Sequence, residues 1–436
     1  MFFKLMTPSW YLDNMTIFNK LSLPFHVIFW LFLITGFGSC SVVVAEVRMG
    51  VTSQVEYNDN ILLEETGEMS DVMYRVSPWI DIKGQRPRLQ SLLSYHPSYT
   101  WYETNREYDL AGHRVEMDVA GNVSRNFDLS FDNRYELSEE GASERQDLQG
   151  TTRLPYSNIS SILSGTWVLG KDEIAGFSFA GEMLDYDKAS TSQDSSEAEG
   201  RINLRKKVKE HVFGTLESGY AEGWYDDSTS YQLANGTLGS EYALNPKKRV
   251  FGRLGFSHLT GDARVNYSSL NPFVGVAREF PSGHYDIGAG VLIRDQEGFD
   301  TTYHFSVVGN AEIKKSWRRG EMTAAMATGH DEEYIDSANP GFDTFVSGTV
   351  SGWYAMAKNW KINGACELRD DSYLDNRPGE DDRNDVTLRL TSGVEYQLLK
   401  RATLRLDYKF NARRSNMDEY EYDENSIILT LNCFTK

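Results

Sequence analysis

The stretch Asp385–Ala412, DVTLRLTSGVEYQLLKRATLRLDYKFNA, carries the pattern from which most of the chain can be read. Val386, Leu388, Leu390, Val394 and Tyr396 alternate with Thr387, Arg389, Thr391 and Glu395. Successive side chains of a β-strand point to opposite faces, so one face here is apolar and the other polar. After a short connection at Gln397–Arg401, Leu404, Leu406, Tyr408 and Phe410 alternate with Thr403, Arg405, Asp407 and Lys409, which reads as a hairpin. Strands of this kind either cover a soluble core or close into a barrel with lipid outside and water inside.

The remainder of the chain favours the barrel. Its 436 residues have a mean hydropathy of −0.47, the value of a soluble protein. A transmembrane barrel also averages polar, because only every second residue meets lipid. With 24 Tyr and 22 Phe against 11 Pro the composition suits strands, and aromatic rings collect where lipid meets water. The formal charge of −19 argues against nucleic acid as a partner, since phosphate binding needs basic patches. Cys40, Cys366 and Cys433 make neither a disulfide framework nor a metal spacing, and the last two read as unpaired packing residues.

Leu21–Ala45, LSLPFHVIFWLFLITGFGSCSVVVA, follows Lys20 and contains no Asp, Glu, Lys or Arg. A basic residue, an apolar run and Val43-Val44-Ala45 before Glu46 match a secretory leader with its small-residue cleavage site. The expected organisation is a signal peptide over 1–45, with translation starting at Met15, and a barrel over 46–436. No periplasmic domain is then expected ahead of the first strand.

From Glu46 onward the chain shows strand-length runs joined by alternating long and short connections. Val47, Met49, Val51 and Val55 open the first strand, and Val72, Tyr74, Val76, Ile80 and Ile82 mark the second. Leu89, Leu93, Tyr95, Tyr99 and Trp101 mark the third, after a turn expected at Gly84–Pro87. Further tight turns are expected near Ser124–Asn126, Gly170–Glu173, Lys207–Glu210, Asn245–Lys248, Phe280–Gly283, Lys314–Trp317 and Met356–Asn359. The pattern predicts an all-β, antiparallel transmembrane β-barrel of about 20 strands (about 18 to 20), with both ends on the tight-turn side. Leu270–Arg278 is one of its weak stretches, expected either to stand as a strand or to merge with a neighbour. A sandwich seldom needs so many long strands, and a propeller would repeat a four-strand signature that is missing here.

Charge sorts with the connections. The long loops are acidic: Asn58–Asp71 carries Asp59, Glu64, Glu65, Glu68 and Asp71, and Gly329–Asp343 carries Asp331, Glu332, Glu333, Asp336 and Asp343. Tight turns carry Lys206, Lys207 and Lys209, then Lys247, Lys248 and Arg249, then Lys314, Lys315, Arg318 and Arg319, then Lys400 and Arg401. One rim is therefore expected to be negative and the other positive.

No catalytic constellation is evident, and neither a metal nor a cofactor is expected. His330-Asp331, followed by Glu332 and Glu333, reads as a solvated histidine among loop acids rather than an acid–base pair. Gly288 and Gly290 in YDIGAGVLI alternate like a strand and make room on one barrel face. About twenty strands enclose more volume than their side chains fill, so the lumen is expected to be aqueous. Candidates to line it on the polar face of the last strands are Lys361, Glu367, Arg369, Arg389, Glu395, Arg405, Asp407 and Lys409.

Three segments carry a resemblance: VEYNDNILL at Val55–Leu63, YSN at Tyr156–Asn158, and DEYEYDENSIILTLNCF at Asp418–Phe434. They resemble the outer-membrane β-barrel porin family associated with exopolysaccharide and exosortase (PEP-CTERM) loci. The resemblance implies a barrel in the bacterial outer membrane and a role in polysaccharide export. Phe434 is similar to the terminal aromatic read by the barrel-assembly machinery, although Thr435 and Lys436 follow it here. The expected function is a porin-like channel for exopolysaccharide or small solutes. The alternative is a non-conducting surface barrel whose acidic loops bind glycan or another envelope partner. Expected partners are outer-membrane lipid and lipopolysaccharide, the barrel-assembly machinery and polysaccharide-export components.

Overall fold

The computed structural model describes residues 44–139, 155–186, 194–225, 230–261, 266–296, 303–333, 341–373 and 383–435. The leader expected over 1–45 falls almost wholly outside the described residues, and Ala45–Lys436 forms one compact unit. Among its described residues that unit is built from strands, apart from two single 3-10 turns at Arg106–Tyr108 and Asp418–Tyr420. In chain order the strands begin with β1 (Val44–Asn58), β2 (Asp71–Arg86), β3 (Leu89–Tyr102), β4 (Leu110–Asn122), β5 (Phe127–Glu139), β6 (Pro155–Gly170) and β7 (Glu173–Tyr186). They continue with β8 (Ser195–Lys209), β9 (Val212–Tyr225), β10 (Ser230–Asn245), β11 (Lys248–Gly261), β12 (Tyr267–Phe280), β13 (Gly283–Gln296) and β14 (Tyr303–Trp317). The last six are β15 (Gly320–Glu333), β16 (Gly341–Ala357), β17 (Trp360–Tyr373), β18 (Asn384–Leu399), β19 (Ala402–Ser415) and β20 (Tyr422–Phe434).

Each strand pairs antiparallel with its sequence neighbours, and β1 pairs with β20 from Gly50–Phe434 to Asn58–Ser426, which closes a 20-stranded cylinder. The opening stretch is β18 and β19, with Leu388 opposite Ala412, Leu390 opposite Phe410 and Val394 opposite Leu406. Paired residues share a face, so the apolar stripe passes from strand to strand around the wall. Its exposed members include Val51, Leu93, Phe179, Ile202, Leu238, Val274, Phe305, Met326, Val350, Leu368 and Leu429. A hydrophobic band running right round a closed sheet is stable only against lipid.

Aromatic rings sit on the band at both ends. Phe127 stacks on Trp167 at 4.2 Å and Trp360 lies 4.5 Å from Tyr396 at the tight-turn end, while Tyr74, Tyr99 and Trp101 cluster at the other. Strands about 4.8 Å apart and tilted by about 40° give a cylinder roughly 40 Å across between backbones.

Most connections fall where the sequence pattern sets them. The turn expected at Gly84–Pro87 is displaced to Pro87–Arg88, the one at Lys207–Glu210 to Glu210–His211, and the one at Lys314–Trp317 to Arg318–Arg319. In the third case Lys314 and Lys315 are strand residues, and Trp317 ends β14 opposite Gly320. Leu270–Arg278 lies inside a complete strand. His330 through Glu333 belong to β15 and not to a loop, and β15 pairs with β16 as far as Glu333–Gly341. Cys366 and Cys433 are free as expected, but both are exposed and neither packs in a core.

The charge asymmetry is strong. The ten long connections between strands hold 25 Asp or Glu against 7 Lys or Arg, and the nine short ones hold 9 Lys or Arg against 2 Asp or Glu. Outer-membrane barrels keep short turns on the periplasmic side and long loops outside, so the acidic rim is the outer one.

Candidate functional site

The polar face of the wall turns inward, and midway along the cylinder it forms a recess on β8–β14. Arg201, Asn203, Glu217, Asn235, Thr237, Arg253, Asn271, Asp286 and Asn310 line it with two rings, Phe251 and Phe273. Four carboxamides alternate with four charged groups, and an amide offers a donor and an acceptor together.

The two phenylalanines interrupt the polar alternation, and glycines explain how they fit. A Cβ on Gly275 would strike the ring of Phe251, and one on Gly288 would strike the ring of Phe273. Each ring therefore lies flat across the bare backbone of the next strand. The rings stack on each other at 6.2 Å with 15° between planes, and the Arg253 guanidinium sits 4.7 Å above Phe251. Gly288 thus makes room on one barrel face, and its neighbour is an aromatic ring.

At this height the lumen is hollow: Arg201, Asn203, Glu217, Arg253 and Asn310 are exposed although they face inward. Toward the outer end the inward face closes over. Tyr102, Tyr231, Leu259, Tyr267 and Leu292 are at most 2% exposed, and Arg294 and Arg383 are fully buried. The loop Asp59–Ser70 accounts for part of this cover. Its Ile61 and Leu62 pack on Met73 and Tyr102, and Leu63 packs on Tyr422 of β20.

The loop is held by a latch across the closing seam. Asn58 Nδ2 donates to Glu424 Oε1 at 2.6 Å, and Asp59 accepts from the Asn425 backbone N–H at 2.6 Å and from Asn425 Nδ2 at 2.8 Å. Asn60 Nδ2 donates to the carbonyls of Asp423 and Glu64. Two of the three segments that carry the resemblance, VEYNDNILL and DEYEYDENSIILTLNCF, are therefore the two sides of one joint. At the other end of the seam Phe434 lies opposite Gly50. Thr435 continues the seam by donating its N–H to the Met49 carbonyl at 2.7 Å.

The eight lining candidates all stand on the polar face of β17–β19, away from the recess. Lys361, Glu395 and Arg405 form one row in register, and Glu367 and Arg389 form another with 3.6 Å between charges. Arg369 pairs with Asp371 at 2.6 Å and lies over Phe345, Arg405 pairs with Asp407 at 2.7 Å, and Lys361 sits 4.9 Å from the Trp353 ring. Lys409 faces Thr391 and is exposed. Most of these charges are committed to neighbours on the wall. The recess escaped sequence reading because phenylalanine on a polar face looks like a break in the pattern. The signal was a Phe whose cross-strand neighbours are Gly.

His330 lines the same recess as Ser257, Ser269 and Asn271, so it is a lumen residue and not a solvated loop histidine. Among the described residues no group of three His, Cys, Asp or Glu is placed to hold a metal ion.

No protein-family model matches this chain, and no curated protein matches it either. Solved structures do match. The FrpB iron transporter of Neisseria meningitidis, in its apoprotein form, superposes with a TM-score of 0.52 at 10% identity, over 89% of this chain and 81% of that one. The siderophore receptor PirA of Acinetobacter baumannii gives 0.51 at 9% identity, over 91% and 81% respectively. The ferric enterobactin receptor PfeA of Pseudomonas aeruginosa gives 0.51 at 8% identity, over 89% and 80%. At such identities the likeness is one of fold, and with the lipid-facing band it makes this chain a transmembrane β-barrel of the outer-membrane type.

Proposed function

We propose that the protein is an outer-membrane channel whose lumen carries polar chains or solutes of the sugar class, exopolysaccharide among them. The observation that carries this reading is the half-buried ring of Phe273, backed by the buried Phe251, among the carboxamides of Asn203, Asn235, Asn271 and Asn310. A sugar ring has apolar C–H faces and a hydroxyl edge, so it stacks on an aromatic face while its hydroxyls bond to amides. The basic inner rim supports entry of anionic chains from the periplasmic side. Lys361, Glu367, Arg369, Arg389, Glu395, Arg405, Asp407 and Lys409 are proposed to line the opposite wall and keep it wet. Polysaccharide-export components on the periplasmic side are the partners this role requires. Residues 1–45 are proposed as the leader that directs export and Phe434 as part of the assembly signal.

The test is a planar-bilayer recording with oligosaccharide added. Wild type should show current steps that the sugar interrupts. Phe273→Ala should shorten the interruptions by about 2- to 13-fold, from about 0.5–1.5 kcal/mol for the ring. Current steps indifferent to sugar would remove the sugar reading.

A second reading rests on the covered outer end, where Ile61 is 1% exposed and Tyr102 is fully buried. In it the barrel does not conduct, and its acidic outer rim binds a glycan or another envelope component. Absence of current steps from folded protein would favour it.

A further inference from the structure

The wall is not zipped to the same height all round. β13 and β14 pair as far as Asp295–Tyr303, and β15 and β16 pair as far as Glu333–Gly341. Between these two hairpins the β14–β15 ladder runs only from Trp317–Gly320 to Gly309–Thr328. Continued in the same register it would set Val308 against Gly329, Val307 against His330 and Ser306 against Asp331, and no such pairing occurs among the described residues. A side chain stands at the fork: the Thr328 hydroxyl donates to the Val307 carbonyl at 3.2 Å. Beyond it, β15 leans into the lumen, because His330 reaches the recess lined by Ser257, Ser269 and Asn271.

Above the fork, the edge of β14 from Tyr303 to Val308 has no ladder partner on β15. Hydrocarbon does not tolerate such an edge, so beyond the carbonyl that Thr328 meets, water or the polar part of a bound molecule must meet its amides and carbonyls. The surroundings on the two sides are apolar. Toward lipid stand Phe305, Val307 and Met326, among the most exposed large hydrophobic residues of the molecule at 69%, 68% and 66%. Toward the lumen, Leu292 and Val308 are buried and pack with Phe273, the second ring of the recess. An apolar track therefore leads from the amide-lined recess through Phe273, Leu292 and Val308 to the slit, and through it to the lipid-facing side chains. A purely aqueous pore has no use for a track of this kind.

We propose that the slit between β14 and β15 is a lateral passage for an amphiphile with a long acyl chain. Its polar head occupies the recess and the exposed edge of β14, and its chain passes above the Thr328–Val307 contact, between the unpaired ends of β14 and β15, into the outer leaflet. This goes beyond the channel reading and requires only that the barrel sit in lipid.

The test uses the full-length barrel in vesicles of phosphatidylethanolamine and phosphatidylglycerol containing a fatty acid that carries its diazirine a few carbons from the carboxylate. After photolysis the adducts are mapped by mass spectrometry. The proposal expects adducts on Phe273, Leu292 or Val308 as well as on Phe305 and Val307. In a Cys366→Ser, Cys433→Ser background, Ser306→Cys with Asp331→Cys, oxidised to close the slit, should lower the lumen adducts several-fold while leaving those on Phe305, and reduction should restore them. Adducts confined to Phe305, Val307 and Met326 in the wild type would overturn the proposal, whether or not the cysteine pair cross-links. Lumen adducts that persist undiminished in the cross-linked protein would overturn it as well. Loss of the outward adducts too would count against the barrel in lipid, a separate failure.

Discussion

Replacing Asp59 by alanine should loosen the barrel at its seam and uncover its outer mouth. The carboxylate accepts two hydrogen bonds from Asn425, at 2.6 and 2.8 Å, and these tie the first outer loop to the last strand. Hydrogen bonds to a charged group contribute about 1.5–3 kcal/mol each. Because Asn58 and Asn60 keep their own bonds to Glu424 and Asp423, the net loss should be about 2–4 kcal/mol. A large barrel unfolds irreversibly, so the quantity to read is a rate. If the seam parts before the other ladders, the whole loss appears in unfolding, and the rate rises by about 30-fold to several hundred-fold.

The assay is the fraction of protein still migrating as a compact barrel after timed heating in detergent, with single-channel conductance measured in parallel. Asp59→Ala should shorten the half-life by that factor and raise conductance, because Ile61 and Leu62 lose their anchor. Asp59→Asn, which retains an acceptor of the same shape, should fall between. A half-life within about twofold of wild type together with unchanged conductance would refute the latch.

Asp71 shapes the next outer loop by accepting from the backbone N–H groups of Glu103, Thr104 and Asn105 and from Asn105 Nδ2. Asp71→Ala should cost about 2–4 kcal/mol locally and expose Arg106 to trypsin in folded protein, where wild type resists. Reversal of Lys206, Lys207, Lys314 and Lys315 to Glu should move the reversal potential in a salt gradient toward cation preference; an unmoved potential would mean that the inner rim does not set selectivity. Phe434→Ala should reduce the amount of folded barrel recovered from membranes, and full recovery would show that the seam bonds of Thr435 suffice for assembly.

The sequence discloses the wall far better than its contents. Alternation in β18 and β19 survives because lipid on one side and water on the other impose opposite demands on successive residues. Lys314 and Lys315 misled because inner-rim charges extend down the strand ends, so the turn at Arg318–Arg319 looked earlier than it is. β12 was faint because Ser269 and Asn271 stand beside Phe273 on one face, and the reason is the recess itself. The latch joins residues 366 positions apart, and no local pattern reports a hydrogen bond across such a distance. The fork between β14 and β15 was hidden as well, because the run His330–Glu333 beyond it reads as loop and not as the end of a strand. The lining candidates were drawn from β17–β19 because charge is what a polar face displays. The recess on β8–β14 relies on amides, flat rings and missing side chains.

The central claim is that lipid wets one face of every strand and water the other. Nitroxide labels placed one at a time along β18 of the barrel in lipid nanodiscs test it most directly. Collisions with oxygen should dominate at Leu388, Leu390 and Val394, and collisions with a water-soluble nickel chelate should dominate at Arg389, Thr391 and Glu395, alternating from one face to the other. Equal accessibility at neighbouring positions, or the nickel chelate reaching Leu388 and Leu390 as readily as Arg389, would contradict the account.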